Sequence, residues 1–187
     1  MKEHILTALR LTLVCLIFFS GIYTMVIWLA GQLAPAAGEG QQVILRGKVV
    51  GYALEGQNFS QDRYFEGRPS AGSYNAMSSG GTNKSPYSED YLKDVEHKID
   101  TFLVHNRFIN REIVPAELIT SSASGLDPDI SPAAAYVQIP RIAKIRKISA
   151  AEIKKLVDDH TDKPLLGLFG PERVNVLALN IDLDQLR

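Results

Sequence analysis

The stretch Leu11–Ala30, LTLVCLIFFSGIYTMVIWLA, carries no charged side chain and constrains this chain more than any other feature. As a helix rising about 1.5 Å per residue it reaches roughly 30 Å, the thickness of a hydrocarbon core. Eleven of its residues are Leu, Ile, Val or Phe. On insertion scales these favour the bilayer by about 3 to 7 kcal/mol, with no charge opposing them. A signal peptide cleaved at Ala34-Pro35-Ala36 would have a shorter apolar region, about 7–15 residues. A buried core helix would not continue without charge as far as Gly38. A retained transmembrane helix is expected, with Tyr23 and Trp28 towards its outer end and Trp28 suited to the interfacial belt.

Lys2, Arg10 and the α-amino group precede the span, and no Lys or Arg follows until Arg46. That bias predicts a cytoplasmic N-terminus over residues 1–10, a span over 11–33, a linker over 34–42 and an extracytoplasmic domain over 43–187. Lipid tails are as apolar as leucine, so association of a span needs close packing and hydrogen bonds. Ser20, Gly21 and Thr24 form a small-residue notch expected to pack against a partner span.

The chain has 20 basic and 21 acidic residues, a formal net charge of −1, and lacks the concentrated basic surface of a nucleic-acid binder. Its single cysteine, Cys15, lies inside the apolar run. No internal disulfide or thiolate metal site can form from it. His4, His97, His105 and His160 are far apart in sequence and read as solvated surface residues; no metal site is expected.

Beyond the linker, Val43–Leu54 is rich in β-branched residues and reads as one or two strands with a kink at Gly47 or Gly51. Glu55–Ser85 is a long Gly-, Ser- and Asn-rich segment whose aromatics Phe59, Tyr64, Phe65 and Tyr74 imply order. Ser85-Pro86 predicts a helix start. Leu92, Val95, Ile99, Phe102 and Leu103 would form its inner face, and Asp90, Lys93, Asp94 and Lys98 its solvated one. Pro115–Thr120 reads as extended or turn. Ser131-Pro132 predicts a second helix that ends or kinks at Pro140. Ser149 and Glu152 form a capping box for a third, running to about Asp159 and broken by Lys163-Pro164. In Arg173–Asp184, Leu177, Leu179, Ile181 and Leu183 alternate with Asn180 and Asp182, which predicts a strand with one buried face. The expected fold is α+β (mixed α/β) with a small sheet, behind one N-terminal transmembrane helix.

Three segments could carry chemistry. Ser78-Ser79-Gly80-Gly81-Thr82 could cradle phosphate through backbone N–H groups, but Lys84 is not at Walker spacing and a tight turn is the plainer reading. Ser124 lies in SSASGLDPD without the Gly-x-Ser-x-Gly elbow of a hydrolase, and the sequence places no histidine beside it. Asp127 and Asp129 could hold a cation through oxygen or organise a turn into the next helix. Tyr64–Ser70 combines aromatics with Arg68, which suits either an interface or an internal ion pair pinning the loop.

Together, YFEGRPSA (Tyr64–Ala71) with Tyr74-Asn75, SSGGTN (Ser78–Asn83), SGLDPDISPAAA (Ser124–Ala135), PRIAK (Pro140–Lys144) and RVNVLALNIDL (Arg173–Leu183) make the chain resemble the C subunit of the Kdp-type potassium-transporting ATPase. The resemblance spans essentially the whole chain. It departs where Gly80-Gly81-Thr82-Asn83 is followed by Lys84-Ser85-Pro86 rather than Leu-Gly-Pro, and where Asp129 stands at a position often held by His. The resemblance implies an accessory subunit in a bacterial inner membrane. Its partners would be a channel-like potassium-binding subunit, a P-type ATPase subunit and a very small single-span subunit. ATP, Mg and K would belong to those partners, leaving this chain no cofactor of its own. It would act as an assembly factor or catalytic chaperone, and a role in raising nucleotide affinity is proposed for such subunits. The residues that match as partner-contact or structural motif are Tyr64, Phe65, Gly67, Arg68, Pro69, Ser70, Ser79, Gly80, Gly81, Gly125, Leu126, Asp127, Pro128, Ser131 and Pro132. A membrane-anchored extracytoplasmic hydrolase using Ser124 is the alternative.

Overall fold

The computed structural model describes residues 2–186, so the α-amino group of Met1 lies outside the described residues. The chain divides into two units, Met1–Gln42 and Val43–Arg187.

From Lys2 to Gly31 the first unit is one continuous helical rod. It comprises α1 (Lys2–Leu16), a π-helical segment (Ile17–Tyr23) and α2 (Thr24–Gly31). Helix therefore begins well before the uncharged stretch. The Glu3–Gly31 helix is long and apolar enough to cross a membrane. Its large apolar side chains are exposed all round, Phe18, Ile22, Ile27 and Trp28 among them, as expected of a helix whose solvent is lipid. The π segment contains Ser20 and Gly21. The Thr24 hydroxyl donates to the carbonyls of Ser20 (2.9 Å) and Phe19 (3.0 Å). Thr24 is thus satisfied within its own helix, and a Cβ added at Gly21 would meet nothing within 4 Å.

The second unit opens with a hairpin, β1 (Gln42–Leu45) and β2 (Lys48–Tyr52). Arg46 and Gly47 make the turn, both with positive φ. Of the two glycines in this region, Gly47 is the one that reverses the chain. The predicted helix start at Ser85-Pro86 is displaced. Those residues form a turn, and α3 runs Glu89–His105 behind Ser88. Phe102 is its buried anchor, while Leu92 is exposed.

The core is built by α4 (Pro132–Tyr136), α5 (Ile139–Arg146), α6 (Ala150–Asp159) and α7 (Val176–Leu183) around a three-stranded antiparallel sheet. The sheet comprises β3 (Asp129–Ile130), β4 (Thr161–Asp162) and β5 (Arg173–Asn175), in the order β3-β5-β4. Asp129 pairs with Asn175, and Val174 with both Ile130 and Thr161. Ala134, Ala135, Ile142, Ile153, Val157, Val174, Leu179 and Leu183 are fully buried in one cluster with Phe65.

Local signals account for two helix starts. Ser131 accepts from the Ala134 amide, and Ser149 and Glu152 form the reciprocal capping box. Each such cap stabilises by about 1 kcal/mol. Pro140 does not end a helix; it sits in the first turn of α5, where its missing N–H costs nothing.

The largest departure is at the C-terminal end. Only Arg173–Asn175 is strand, and Val176–Leu183 is helix, capped by the Asn175 side chain accepting from the Ala178 amide. The buried positions Val176, Leu177, Leu179, Asn180 and Leu183 follow a helical period, which the run of alternating leucines disguised. Asn180, expected on an exposed face, is 2% exposed.

Candidate functional site

Three buried polar side chains on the helical layer hold the Tyr64–Ser70 segment. Asn180 of α7 accepts from the Phe65 amide at 2.8 Å and donates to the Phe65 carbonyl at 2.9 Å. Gln138, just before α5, does the same for Glu66, at 2.8 Å and 3.1 Å. These two carboxamides replace the ladder that a neighbouring strand would otherwise supply. They also lock the fully buried Phe65 ring into the core.

Behind them lies Arg141, with a side chain 2% exposed. It donates to Gln138 (2.8 Å), to Asn106 (2.9 Å) and to the Asp62 carbonyl (2.6 Å). Its charge is balanced by the carboxylates of Glu66 at 3.4 Å and Asp62 at 3.8 Å. Burial pushes the Glu66 carboxyl above its ordinary range, opposed by Arg141. The same burial lowers the Arg141 guanidinium, opposed by Glu66 and Asp62.

The remaining motif residues converge on the other end of this segment. Arg68 pairs with Asp127 at 2.9 Å, each side chain about three-tenths exposed; its Nε is buried with no hydrogen-bond partner among the described residues. The Tyr74 hydroxyl donates to the Arg68 carbonyl (2.7 Å), and burial raises its pKa. Ser122 N–H donates to the Pro69 carbonyl. The Ser79 hydroxyl and the Gly80 amide both donate to the Ser124 carbonyl, at 2.7 and 2.9 Å. Gly81 lies against Ala123, and a Cβ there would stand 3.3 Å from the Ala123 Cα.

Gly125 has φ +71°, and a Cβ on it would stand 3.0 Å from the Gly80 carbonyl oxygen and 3.2 Å from the Ser70 hydroxyl. Glycine is required there by both conformation and space. The Leu126 carbonyl receives the Gly56 amide, and the Pro128 carbonyl the Val176 amide. Ser131 at the start of α4 hydrogen-bonds the Glu117 carboxylate through its hydroxyl, and Pro132 follows as the first helical residue. Tyr64, at the near edge, donates to Asp184 (2.9 Å) and stacks under the guanidinium groups of Arg63 and Arg146. The sequence motifs thus meet as one interlocked patch, and Arg68 acts as an internal pin.

Beside the patch a cleft of about 460 Å³ runs between Glu66, Gly67, Pro69, Ser70 and Tyr74 on one wall and His97, Lys98 and His105 of α3 on the other. His105 hydrogen-bonds Asp62 at 2.7 Å. Among the described residues, no group of three or more His, Cys, Asp or Glu side chains gathers as a metal site. Asp127 accepts from the Asp129 amide (3.1 Å), the turn geometry, and Asp129 faces Arg173 at 3.6 Å. Burial raises the Asp129 carboxyl, partly offset by Arg173.

The Ser124 hydroxyl lies 3.1 Å from the Ser122 hydroxyl and accepts from the Leu126 amide. Its hydrogen-bond partners among the described residues include no histidine. His160 is engaged elsewhere, with Asp182 at 2.9 Å. Nucleophilic attack needs a base within reach of the hydroxyl, and the hydrogen bonds of Ser124 among the described residues go to Ser122 and Leu126. The donors of Ser79 and Gly80 that could face a phosphate are spent on Ser124.

Sequence reasoning missed Asn180, Gln138, Asn106 and the Glu66–Arg141–Asp62 cluster. Asn180 alone carried a local signal, a polar side chain inside an otherwise apolar helical stretch.

Residues 5–185 match the family model described as K+-transporting ATPase, c chain. A relative in Bacteroides fragilis, named potassium-transporting ATPase KdpC subunit, is 50% identical over 188 residues, covering 99% of this chain and 98% of its own length. Relatives with the same name in Flavobacterium johnsoniae and Caldanaerobacter subterraneus are 44% and 43% identical. They cover 99% and 98% of this chain, and 100% and 95% of their own lengths. With its length, its motifs and its matches in agreement, the chain belongs to the family of the K+-transporting ATPase c chain, KdpC.

Proposed function

We propose that this chain is a non-catalytic subunit of an ATP-driven potassium-uptake complex, anchored in a bacterial inner membrane by its single span, with residues 43–187 outside the cytoplasm. It joins a channel-like potassium-binding subunit and a P-type ATPase subunit, with a very small single-span subunit beside them, and supports their assembly as a catalytic chaperone. The names of the relatives support the potassium-transporting complex. The non-catalytic reading rests on Ser124, whose hydroxyl is tied to Ser122 and Leu126 rather than to a base. ATP, Mg and K are assigned to the partners. The notch at Ser20, Gly21 and Thr24 contributes a contact within the membrane; Gly21 offers the open surface for it.

The test is expression of the complex with and without this chain in cells lacking other high-affinity potassium uptake. The reading expects that omission abolishes growth at limiting potassium and recovery of an intact complex in mild detergent. Full recovery and growth without the chain would refute it.

A further inference from the structure

The loop Pro164–Pro171, PLLGLFGP, carries Leu165, Leu166, Leu168 and Phe169 at 70%, 81%, 80% and 64% exposure. No charge lies between its two prolines. Exposed large side chains gathered in this way mark an interaction site. The loop is also pre-shaped. Leu165 and Phe169 exchange both backbone hydrogen bonds at 3.0 Å, and the Gly167 amide donates to the Pro164 carbonyl at 2.9 Å. Leu166, Gly167 and Gly170 all have positive φ. For leucine that conformation is strained, and strain of this kind persists where a fixed shape matters.

Shape and charge together select the occupant. A bilayer surface does not demand a fixed loop, and segments that seat on lipid set Trp, Phe or Leu against a polar face rich in Lys and Arg. Here the base of the loop is mixed in sign, Asp162 and Lys163 on one side and Glu172 and Arg173 on the other, so it has no basic collar. A rigid apolar tip on a charge-balanced base fits an apolar recess on another protein. We infer that Leu165–Phe169 is a preformed plug that docks into an apolar recess on the exposed surface of another subunit of the transport complex. This rests on the complex-subunit reading above and names its contact surface.

The test places a photoreactive amino acid at Leu168 of the full chain, co-expressed with the other subunits, and identifies the adduct by mass. A covalent adduct with another subunit is expected. An adduct with lipid, an adduct with a second copy of this chain, or none at all would overturn the inference. In parallel, Leu166→Asn with Leu168→Ser, which keeps a residue tolerant of positive φ in the turn, should lower recovery of this chain with its partners about tenfold or more. Ile113→Ser, at an apolar residue 55% exposed elsewhere, should leave recovery unchanged. If the parent chain itself fails to co-purify, both the function reading and this inference fall. If the parent co-purifies and the loop variant does so undiminished, this inference alone falls. The adduct measurement stands even if the double variant misfolds.

Discussion

The carboxamide of Asn180 takes both backbone polar groups of Phe65, accepting at 2.8 Å and donating at 2.9 Å, although 115 residues separate the two. A single side chain of α7 thereby fixes the segment that bears Phe65, Glu66 and Arg68. Asn180→Leu keeps the branched outline of the side chain but leaves a buried N–H and a buried carbonyl unpaired. At about 1–3 kcal/mol for each group, the loss should be about 2–6 kcal/mol of stability. Urea unfolding of the full chain in detergent checks this; an unchanged midpoint would mean that water replaces the carboxamide.

Gly125 and Gly167 share a positive φ, +71° and +72°, but differ in their surroundings. An alanine at Gly167 meets open space, so Gly167→Ala should cost about 1 kcal/mol for conformation alone. At Gly125 the new methyl also crowds the Gly80 carbonyl and the Ser70 hydroxyl. Gly125→Ala should cost about 2 kcal/mol or more, and thermal unfolding of the two variants side by side reads the difference.

Helix starts at Ser131 and Ser149 were legible in the sequence because a cap and its partner lie within three residues. So were the long apolar N-terminal helix and the gathering of the Tyr64–Ser70, Ser79–Gly81 and Gly125–Pro128 motifs into one family pattern. The helix Val176–Leu183 was not legible. Leucines at 177, 179 and 183 with Ile181 imitate a period of two, and the cap from Asn175 is a weaker signal than that alternation. The Gln138–Arg141–Glu66 cluster was hidden for a different reason. Its contacts join residues as much as 79 positions apart, and no local pattern encodes such a pairing.

Glu66 gives the site a pH dependence of defined sign. Its carboxyl titrates above the ordinary value in the native state because burial disfavours its charge. The native chain therefore binds this proton more tightly than the unfolded chain. The resulting stability is fully present below the ordinary glutamate range and is lost as pH rises through the raised native value. On acidification from neutral pH through that window, the parent should gain stability relative to Glu66→Gln. Paired unfolding curves across that range check it; parallel pH profiles would contradict the assignment.

The orientation of the chain is open to direct labelling. With Arg10 before the span and no basic residue after it until Arg46, the C-terminal end should lie outside the cytoplasm. A Gln185→Cys chain with Cys15→Ser should react with a membrane-impermeant thiol reagent in intact cells. Reaction only after the cells are opened would reverse the topology.

The proposed role of this chain is to organise a potassium-transporting complex without contributing a catalytic group. Potassium-stimulated ATP hydrolysis, per unit of recovered complex carrying Ser124→Ala, tests it most directly. The rate should stay within about threefold of the parent, because the lost hydroxyl hydrogen-bonds Ser122 and Leu126 and removing it costs about 1 kcal/mol of local stability. A fall of about 10⁴-fold, the scale expected when an activated serine is removed, would contradict it.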